Sequence, residues 1–182
     1  GTACTNEHVQ KLFRFTDAVV FSFDGDAAGR RAARKALDGA LPFATDVRSI
    51  KFLFLPAEHD PDSFIRAHGK EAFADYVSKA TPLSRFLVEA AQEGCDLSTA
   101  EGRAHMSSNA KPLWTQLPDG ALKLQLLAEI ASLVQLSSAE LGALWASSGG
   151  KPAAEPQRRK PASAPSPSFD GPPDDGHYAY EE

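Results

Sequence analysis

The chain has 182 residues, of which 42% are hydrophobic and 24% are charged, and its formal net charge is −5. This length and composition fit one globular domain, or one domain with an appendage, and exclude a chain that is disordered throughout. The mild acidity argues against nucleic-acid binding through bulk charge, and no stretch approaches the ~18 apolar residues of a membrane-spanning helix.

The first 80 residues alternate helix and strand signals. Thr5 can cap a short helix. The apolar run 18–23 (Ala-Val-Val-Phe-Ser-Phe) favours a strand that is buried on both faces, and the segment 27–41, rich in Ala, Arg and Leu, favours a helix. A second strand is predicted over 47–55. Together these elements predict a β–α–β unit with two parallel strands and a right-handed crossover.

Residues 81–148 lack strand signals and predict an all-α subdomain. A helix is predicted over 81–93, and Gly94 would stop it. The segments 98–101 and 137–140 both read Ser-x-x-Glu, which is the spacing of a capping box at the start of a helix.

The composition changes near Gly149. The residues from 149 to 182 contain seven of the 13 prolines and few large apolar side chains. We expect a Pro-rich, disordered linker, because such a segment cannot bury enough apolar surface to offset its conformational entropy. The predicted fold is therefore a partial, parallel α/β sheet with flanking helices (1–80), an all-α subdomain (81–148) and a disordered tail (149–182).

Two acidic pairs follow the predicted strands: Asp24 and Asp26 after the first, and Asp60 and Asp62 after the second. The carboxyl ends of parallel strands lie at one edge of the sheet, where open α/β folds bind ligands. Four carboxylates gathered there would repel one another without a cation, and oxygen ligands favour Mg²⁺ or Mn²⁺. One such pair alone is better explained by turns and helix caps, so the metal-site hypothesis depends on both pairs.

The helix after Asp26 carries several cations, including Arg30 and Arg31. Its first turn lies near the predicted acidic site, and a helix N-terminus favours anions, so Arg30 or Arg31 is a candidate for binding a nucleotide phosphate. The alternative is a solvated basic face that pairs with nearby acids.

The segment 23–30 (Phe-Asp-Gly-Asp-Ala-Ala-Gly-Arg), followed by an Ala-rich helix, resembles the central acidic motif of Toprim domains. More narrowly, it resembles that of bacterial DNA primases of the DnaG type. Residues 52–73 look like the second acidic segment of these primases, and the motifs at 82–87 and 96–103 resemble their helical subdomain. The similarity covers roughly residues 1–147, with several motifs in the same order.

By this resemblance, the catalytic residues would be Asp24, Asp26 and Asp60, which with Asp62 would bind the Mg²⁺ or Mn²⁺ ions. Family members are DNA-directed RNA polymerases of the primosome that make short RNA primers on single-stranded DNA by nucleotidyl transfer. The resemblance thus implies a DNA template, ribonucleoside triphosphates and the replicative helicase as partners. We expect a monomer in the bacterial cytoplasm, with no membrane association.

Parts of the family pattern are absent from the sequence, which begins at Gly1 and reads as a processed chain or a fragment. The absent parts are the Toprim glutamate, the template-binding subdomain and the N-terminal zinc-binding domain, and zinc is expected only in that domain. Cys4 and Cys95 cannot make a four-cysteine zinc site. The helicase-binding domain is expected beyond the linker and hence missing. We therefore expect this chain alone to be inactive in primer synthesis.

Two other classes stay open on the sequence. The chain could be another Toprim protein: a topoisomerase, a nuclease or a recombination factor. A topoisomerase needs an active-site tyrosine, and only Tyr76 lies in the part expected to be ordered. The second class is a non-catalytic helical docking module formed by residues 82–147, although apolar helix stripes more often belong to a core.

Overall fold

The computed structural model describes residues 6–56 and 58–147. The predicted cap at Thr5 and the predicted linker over 149–182 lie outside these residues. In chain order the elements are α1 (Asn6–Leu12), β1 (Ala18–Asp24), α2 (Ala27–Ala40), a 3₁₀ turn (Leu41–Phe43), β2 (Ser49–Leu55), α3 (Pro61–Ser78), β3 (Thr81–Pro82), α4 (Leu83–Gln92), α5 (Ala100–Thr115), α6 (Ala121–Leu133) and α7 (Ser138–Ser147).

The described strands form a mixed sheet in the order β1–β2–β3. β1 and β2 are parallel, with Ala18 opposite Ser49 at one end and Asp24 opposite Leu55 at the other. The helix α2 is the crossover between them. This arrangement confirms the predicted β–α–β unit.

A short strand that the sequence did not predict lies at the start of the helical part. β3 pairs with β2 in antiparallel fashion, with Thr81 opposite Phe52. The helix predicted from residue 81 begins at Leu83 instead. The cause is local, because a residue before proline avoids the helical conformation and Pro82 itself is extended, at φ −60° and ψ 151°.

The two long strands differ in burial. On β1, Val19 and Phe21 are buried, whereas Val20 on the opposite face is 39% exposed. On β2 both faces are buried, because α3 packs against Leu53 and Leu55. The expectation that β1 is buried on both faces is therefore wrong for the described part of the chain, where α3 covers β2 only.

One core joins the sheet to the helices. Phe52 on β2 and Phe86 on α4 are buried, with ring centroids 4.6 Å apart. Residues 83–147 form four helices, α4–α7, as predicted for this segment. Among the described residues, no single helix has the length and apolar composition to cross a membrane; α6 and α7 reach them only as a pair, bent by 102°.

One of the two predicted capping boxes is present. At the start of α7, the backbone N–H of Ser137 donates to the Glu140 carboxylate at 2.8 Å, and the Glu140 N–H donates back to Ser137 Oγ. The box predicted at 98–101 is wrong, because the Asp96 carboxylate binds the N–H and hydroxyl of Ser98. The cap of α5 is the next residue, Thr99.

Thr99 caps α5 by accepting a hydrogen bond from the backbone of a glycine in the first turn. Its Oγ1 accepts from the N–H of Gly102 at 3.0 Å. A Cβ at Gly102 would overlap the carbonyl oxygen of Asp96, so the loop before α5 packs directly on the helix backbone.

Asp46 ties the loop before β2 to the helical part. Its carboxylate accepts hydrogen bonds from the N–H groups of Leu122 and Ala121, at 2.9 and 3.0 Å. Asp46 therefore caps α6, although it lies 75 residues before Ala121 in the sequence. These two bonds hold the pKa of Asp46 below its usual value. A Cβ at Gly120 would lie 2.8 Å from Asp46 Oδ1, so a residue without a side chain lets the carboxylate approach.

Candidate functional site

The acidic edge is the end of the sheet at which β1 and β2 end, with the acidic loops that follow them: Asp24–Asp26 after β1 and 58–60 after β2, next to Asp62 in the first turn of α3. Asp24 is the last residue of β1 and lies opposite Leu55, the last residue of β2. Asp60 follows Leu55 by five residues and begins α3. The parallel register therefore starts both acidic loops at the same edge, which is where open α/β sheets bind ligands.

Asp26 is the N-cap of α2. Its Oδ1 accepts the backbone N–H of Gly29 at 2.6 Å. A Cβ at Gly29 would overlap the carbonyl oxygen of Asp24, so only glycine lets the first turn of α2 pack on the end of β1. This packing fixes the path of the loop that carries Asp24 and Asp26, whose side chains are both exposed.

Asp60 is the N-cap of α3, as the sequence indicated, with Pro61 in the first turn. Its Oδ1 accepts the N–H of Ser63 at 2.7 Å, and Ser63 Oγ accepts the N–H of Asp60 at 2.9 Å. Two hydrogen bonds lower the pKa of Asp60 from its usual value: the larger effect comes from the Ser63 backbone N–H and the smaller one from the Ser63 side chain. Asp60 is therefore ionised at neutral pH.

Asp62 lies in the first turn of α3 and forms an ion pair with Arg66 at 2.7 Å. Both side chains are mostly exposed, so this pair contributes little to stability. Asp26, Asp60 and Asp62 thus each have a partner within their own helix. Across residues 6–56 and 58–147, no three His, Cys, Asp or Glu side chains are arranged as a metal site. The four-carboxylate metal site stays a prediction.

The two candidate phosphate-binding residues differ in their surroundings. The guanidinium of Arg30 lies over the ring of Phe54, 4.3 Å from its centroid. Arg31 is exposed and is not among the cations that lie over an aromatic ring in the described part of the chain. The sequence alone does not distinguish Arg30 from Arg31 or single out Phe54, because nothing in the spacing shows which arginine faces β2.

An aromatic cluster that the sequence did not predict lies beside Asp60. The rings of His59 and His68 are 5.3 Å apart and nearly perpendicular, and both contact Phe64, the buried residue of α3. His59 Nδ1 lies 3.3 Å from Ser63 Oγ. The cluster anchors the first turns of α3 and thereby positions Asp60.

Comparison with known proteins identifies both halves of the described chain. Residues 1–65 match the family model described as Toprim-like, and residues 84–139 match the DnaB-helicase binding domain of primase. The DNA primase of Escherichia coli K12 is 46% identical over 132 residues, which cover 72% of this chain and 23% of that protein. The chain thus spans about a quarter of the length of the curated relatives it matches.

Solved structures of DNA primases are also similar to this chain. A DNA primase domain from Pseudomonas aeruginosa superposes with a TM-score of 0.75 at 38% identity, over 80% of this chain and 46% of that one. A DnaG primase catalytic domain bound to single-stranded DNA gives a TM-score of 0.73 at 43% identity, over 77% and 44%.

The helicase-binding match falls inside the helical subdomain, on α4–α6 and the start of α7. The expectation that the helicase-binding domain lies beyond the linker, and is missing, is therefore wrong. The expectation that the apolar stripes belong to the core fits Leu126, Leu127 and Ile130, which are buried. Leu124, Leu136 and Leu144 are partly or largely exposed. On sequence identity, motif order and fold together, the chain belongs to the DnaG-type family of bacterial DNA primases and corresponds to part of their catalytic core.

Proposed function

We propose that the chain supplies the acidic part of the active site of a bacterial DNA primase, which makes short RNA primers on single-stranded DNA by metal-dependent nucleotidyl transfer. The observation that carries this proposal is the parallel register of β1 and β2, which starts the Asp24 and Asp60 loops at one sheet edge. The template and the ribonucleoside triphosphates follow from this function, and a neighbouring structure is a primase domain bound to single-stranded DNA.

The residues fit a hard divalent cation. Asp24, Asp26, Asp60 and Asp62 are exposed and offer only carboxylate oxygens, which Mg²⁺ and Mn²⁺ prefer. A carboxylate has about four lone-pair sites, so the helix caps of Asp26 and Asp60 do not prevent them from binding a cation as well. The lowered pKa of Asp60 favours the ionised form that a metal needs.

Each group has a role in the proposed reaction. Asp24, Asp26 and Asp60 act at the reacting atoms, Asp62 completes the cation site, and an arginine of α2 binds phosphate. The chemistry that a divalent ion supplies when bound is a lower pKa of the attacking hydroxyl and stabilisation of charge on the transferring phosphate.

Manganese binding tests the acidic edge. We expect Mn²⁺ to broaden the amide NMR signals of residues 24–30 and 58–64 in the wild-type chain. Asp24→Asn with Asp60→Asn should remove this broadening and keep the fold, because Asn also caps helices. Asp38→Asn, an exposed change in the last turn of α2, is the matched control. Equal broadening in the double variant and the control would show that the cation binds elsewhere.

A second function, helicase docking, is supported by the family model that matches residues 84–139. We propose the replicative helicase as the partner of this segment. The described residues 84–139 include the exposed leucines Leu124 and Leu136, which suit a protein interface. Other Toprim functions have no comparable support, since the relatives compared are DNA primases. We place the activity in the bacterial cytoplasm, because the relatives are bacterial DNA primases, and keep a monomer as a prediction.

A further inference from the structure

Three cations lie over aromatic rings in the described part of the chain. They are Arg30 over Phe54 at 4.3 Å, Arg48 over Phe13 at 4.5 Å and Lys123 over Trp114 at 4.7 Å. Each contact orients a flexible side chain by attraction between the charge and the ring face.

Two of these cations also have a polar partner. Arg48 donates to the carbonyl oxygen of Phe43 at 3.1 Å, and Lys123 forms an ion pair with Asp119 at 3.2 Å. Arg30 differs, because no hydrogen bond or ion pair of its guanidinium is found with any described residue. Its five N–H donors are thus oriented by the ring without being used by residues 6–56 or 58–147.

The position of Arg30 links it to the acidic edge. Arg30 lies in the first turn of α2, four residues after its cap Asp26. Phe54 pairs in register with Phe23, one step before Asp24 and Leu55 end the two strands. The guanidinium therefore lies at the level where both acidic loops begin.

We propose that Arg30, held over Phe54, binds a phosphate group of the nucleotide or nucleic acid that occupies the acidic edge, and that Arg31 does not. This inference rests on the proposed function. A guanidinium offers a planar pair of donors that matches two phosphate oxygens, and a pre-oriented fork loses little side-chain entropy on binding. Arg31 points about 100° further round the helix and lacks the ring.

A competing assignment involves two acids across a small cavity. Arg30 and Arg34 of α2 line a space of about 150 Å³ together with Glu89 of α4 and Glu93, the residue that ends this helix. Neither carboxylate comes within 4.0 Å of Arg30 in the described structure, where Glu89 pairs with Arg85 instead. Between exposed groups at longer range, salt screens the attraction. These acids therefore leave the donors of Arg30 available.

The test follows the side-chain Nε–H NMR signals of Arg30 and Arg31 in the full chain, assigned with Arg30→Gln and Arg31→Gln. The probes are tripolyphosphate, for the triphosphate of a nucleotide, and a 12-nucleotide single-stranded DNA, for backbone phosphate. The same DNA with a neutral methylphosphonate backbone is the control. We expect the Arg30 signal to move with at least one charged probe, which identifies the source of the phosphate, and the Arg31 signal to stay.

Variants make the inference quantitative. Arg30→Gln should weaken binding of that probe about tenfold, the effect of losing one charge-assisted contact, while Arg31→Gln leaves it unchanged. Arg30→Lys should not restore full binding, because it keeps the charge and lacks the fork. Phe54→Leu should weaken binding as well, since the guanidinium loses the ring that orients it. The amide spectrum of each variant reports whether the fold is intact.

Three results would overturn the inference: an Arg30 signal that no charged probe moves, equal shifts of Arg30 and Arg31, or an Arg30 signal that responds only to Glu89→Gln with Glu93→Gln. All measurements are made without divalent metal, so they are independent of the manganese test. If Mn²⁺ does not bind at the aspartates of the wild-type chain while the Arg30 signal still shifts with a phosphate probe, the metal site is contradicted and the phosphate contact is retained.

Discussion

Asp26 and Asp60 hold the first turns of α2 and α3 through their carboxylates. The sequence predicted these positions because Asp is a preferred N-cap and each follows an apolar run. It also predicted them as metal ligands, and the same residue type serves both roles. A sequence pattern cannot separate the two, whereas metal titration of the variants described above can.

Gly29 makes a sharper prediction at the scale of one residue. We expect Gly29→Ala to lower stability by about 1–3 kcal/mol, because the new Cβ would overlap the Asp24 backbone, which cannot move aside like a side chain. Urea denaturation measures the loss. In the same helix, Gly39→Ala is the control, since its Cβ would meet only the side-chain oxygen of Asn6. Equal destabilisation by both changes would contradict this account.

At the scale of elements, the β–α–β unit was predictable because two apolar runs flank an Ala-rich segment and each run ends at an acidic turn. The exposure of one face of β1 could not be predicted, because the sequence of a strand does not show which of its faces a helix covers. β3 was also missed, since two residues carry too little pattern.

The cap of α6 by Asp46 could not be found from sequence, because the two partners are more than 70 residues apart. Capping motifs are recognised from neighbours in the chain, and Gly120, directly before α6, has no side chain to signal a cap. The contact depends on how the sheet and the helices pack, which only the tertiary structure shows.

Low pH should weaken the hydrogen bonds between the Asp46 carboxylate and the first turn of α6. Because the folded-state pKa of Asp46 lies below its ordinary value of 3.8, its contribution to stability is complete above that value and is lost as the pH falls through the lowered pKa. We expect Asp46→Ala to lower the melting temperature at pH 7, and the difference from wild type to shrink below about pH 4. Melting curves from pH 7 to pH 2 measure this. A difference that does not change with pH would mean that the charge of Asp46 contributes nothing.

On the scale of the whole molecule, the order of motifs identified the family correctly, because several short patterns with fixed spacing rarely coincide. The position of the helicase-binding segment was predicted wrongly. Apolar stripes show that a helix buries one face, but they do not show whether the remaining leucines contact a partner.

The proposed helicase docking uses that remaining surface of the helical part. We expect Leu124→Lys, at a side chain that is 67% exposed, to weaken binding of the replicative helicase about tenfold or more, as loss of a central interface contact does. Isothermal titration calorimetry measures the affinity. Leu12→Lys is the matched control, because Leu12 is 44% exposed and lies outside residues 84–139. If the two variants bind alike, Leu124 is not part of the interface.

The glycine that follows each cap has a consequence for how this sequence is compared with others. Gly29 and Gly102 lie in the first turns of different helices, yet the backbone of each packs against the carbonyl oxygen of an earlier aspartate, where no Cβ fits. The acidic edge contains only the first of them. A sequence pattern that requires Gly29 therefore selects in part for a closely packed strand-to-helix junction. Chains that share this glycine but lack Asp24 and Asp60 would share the fold without the proposed metal-dependent reaction.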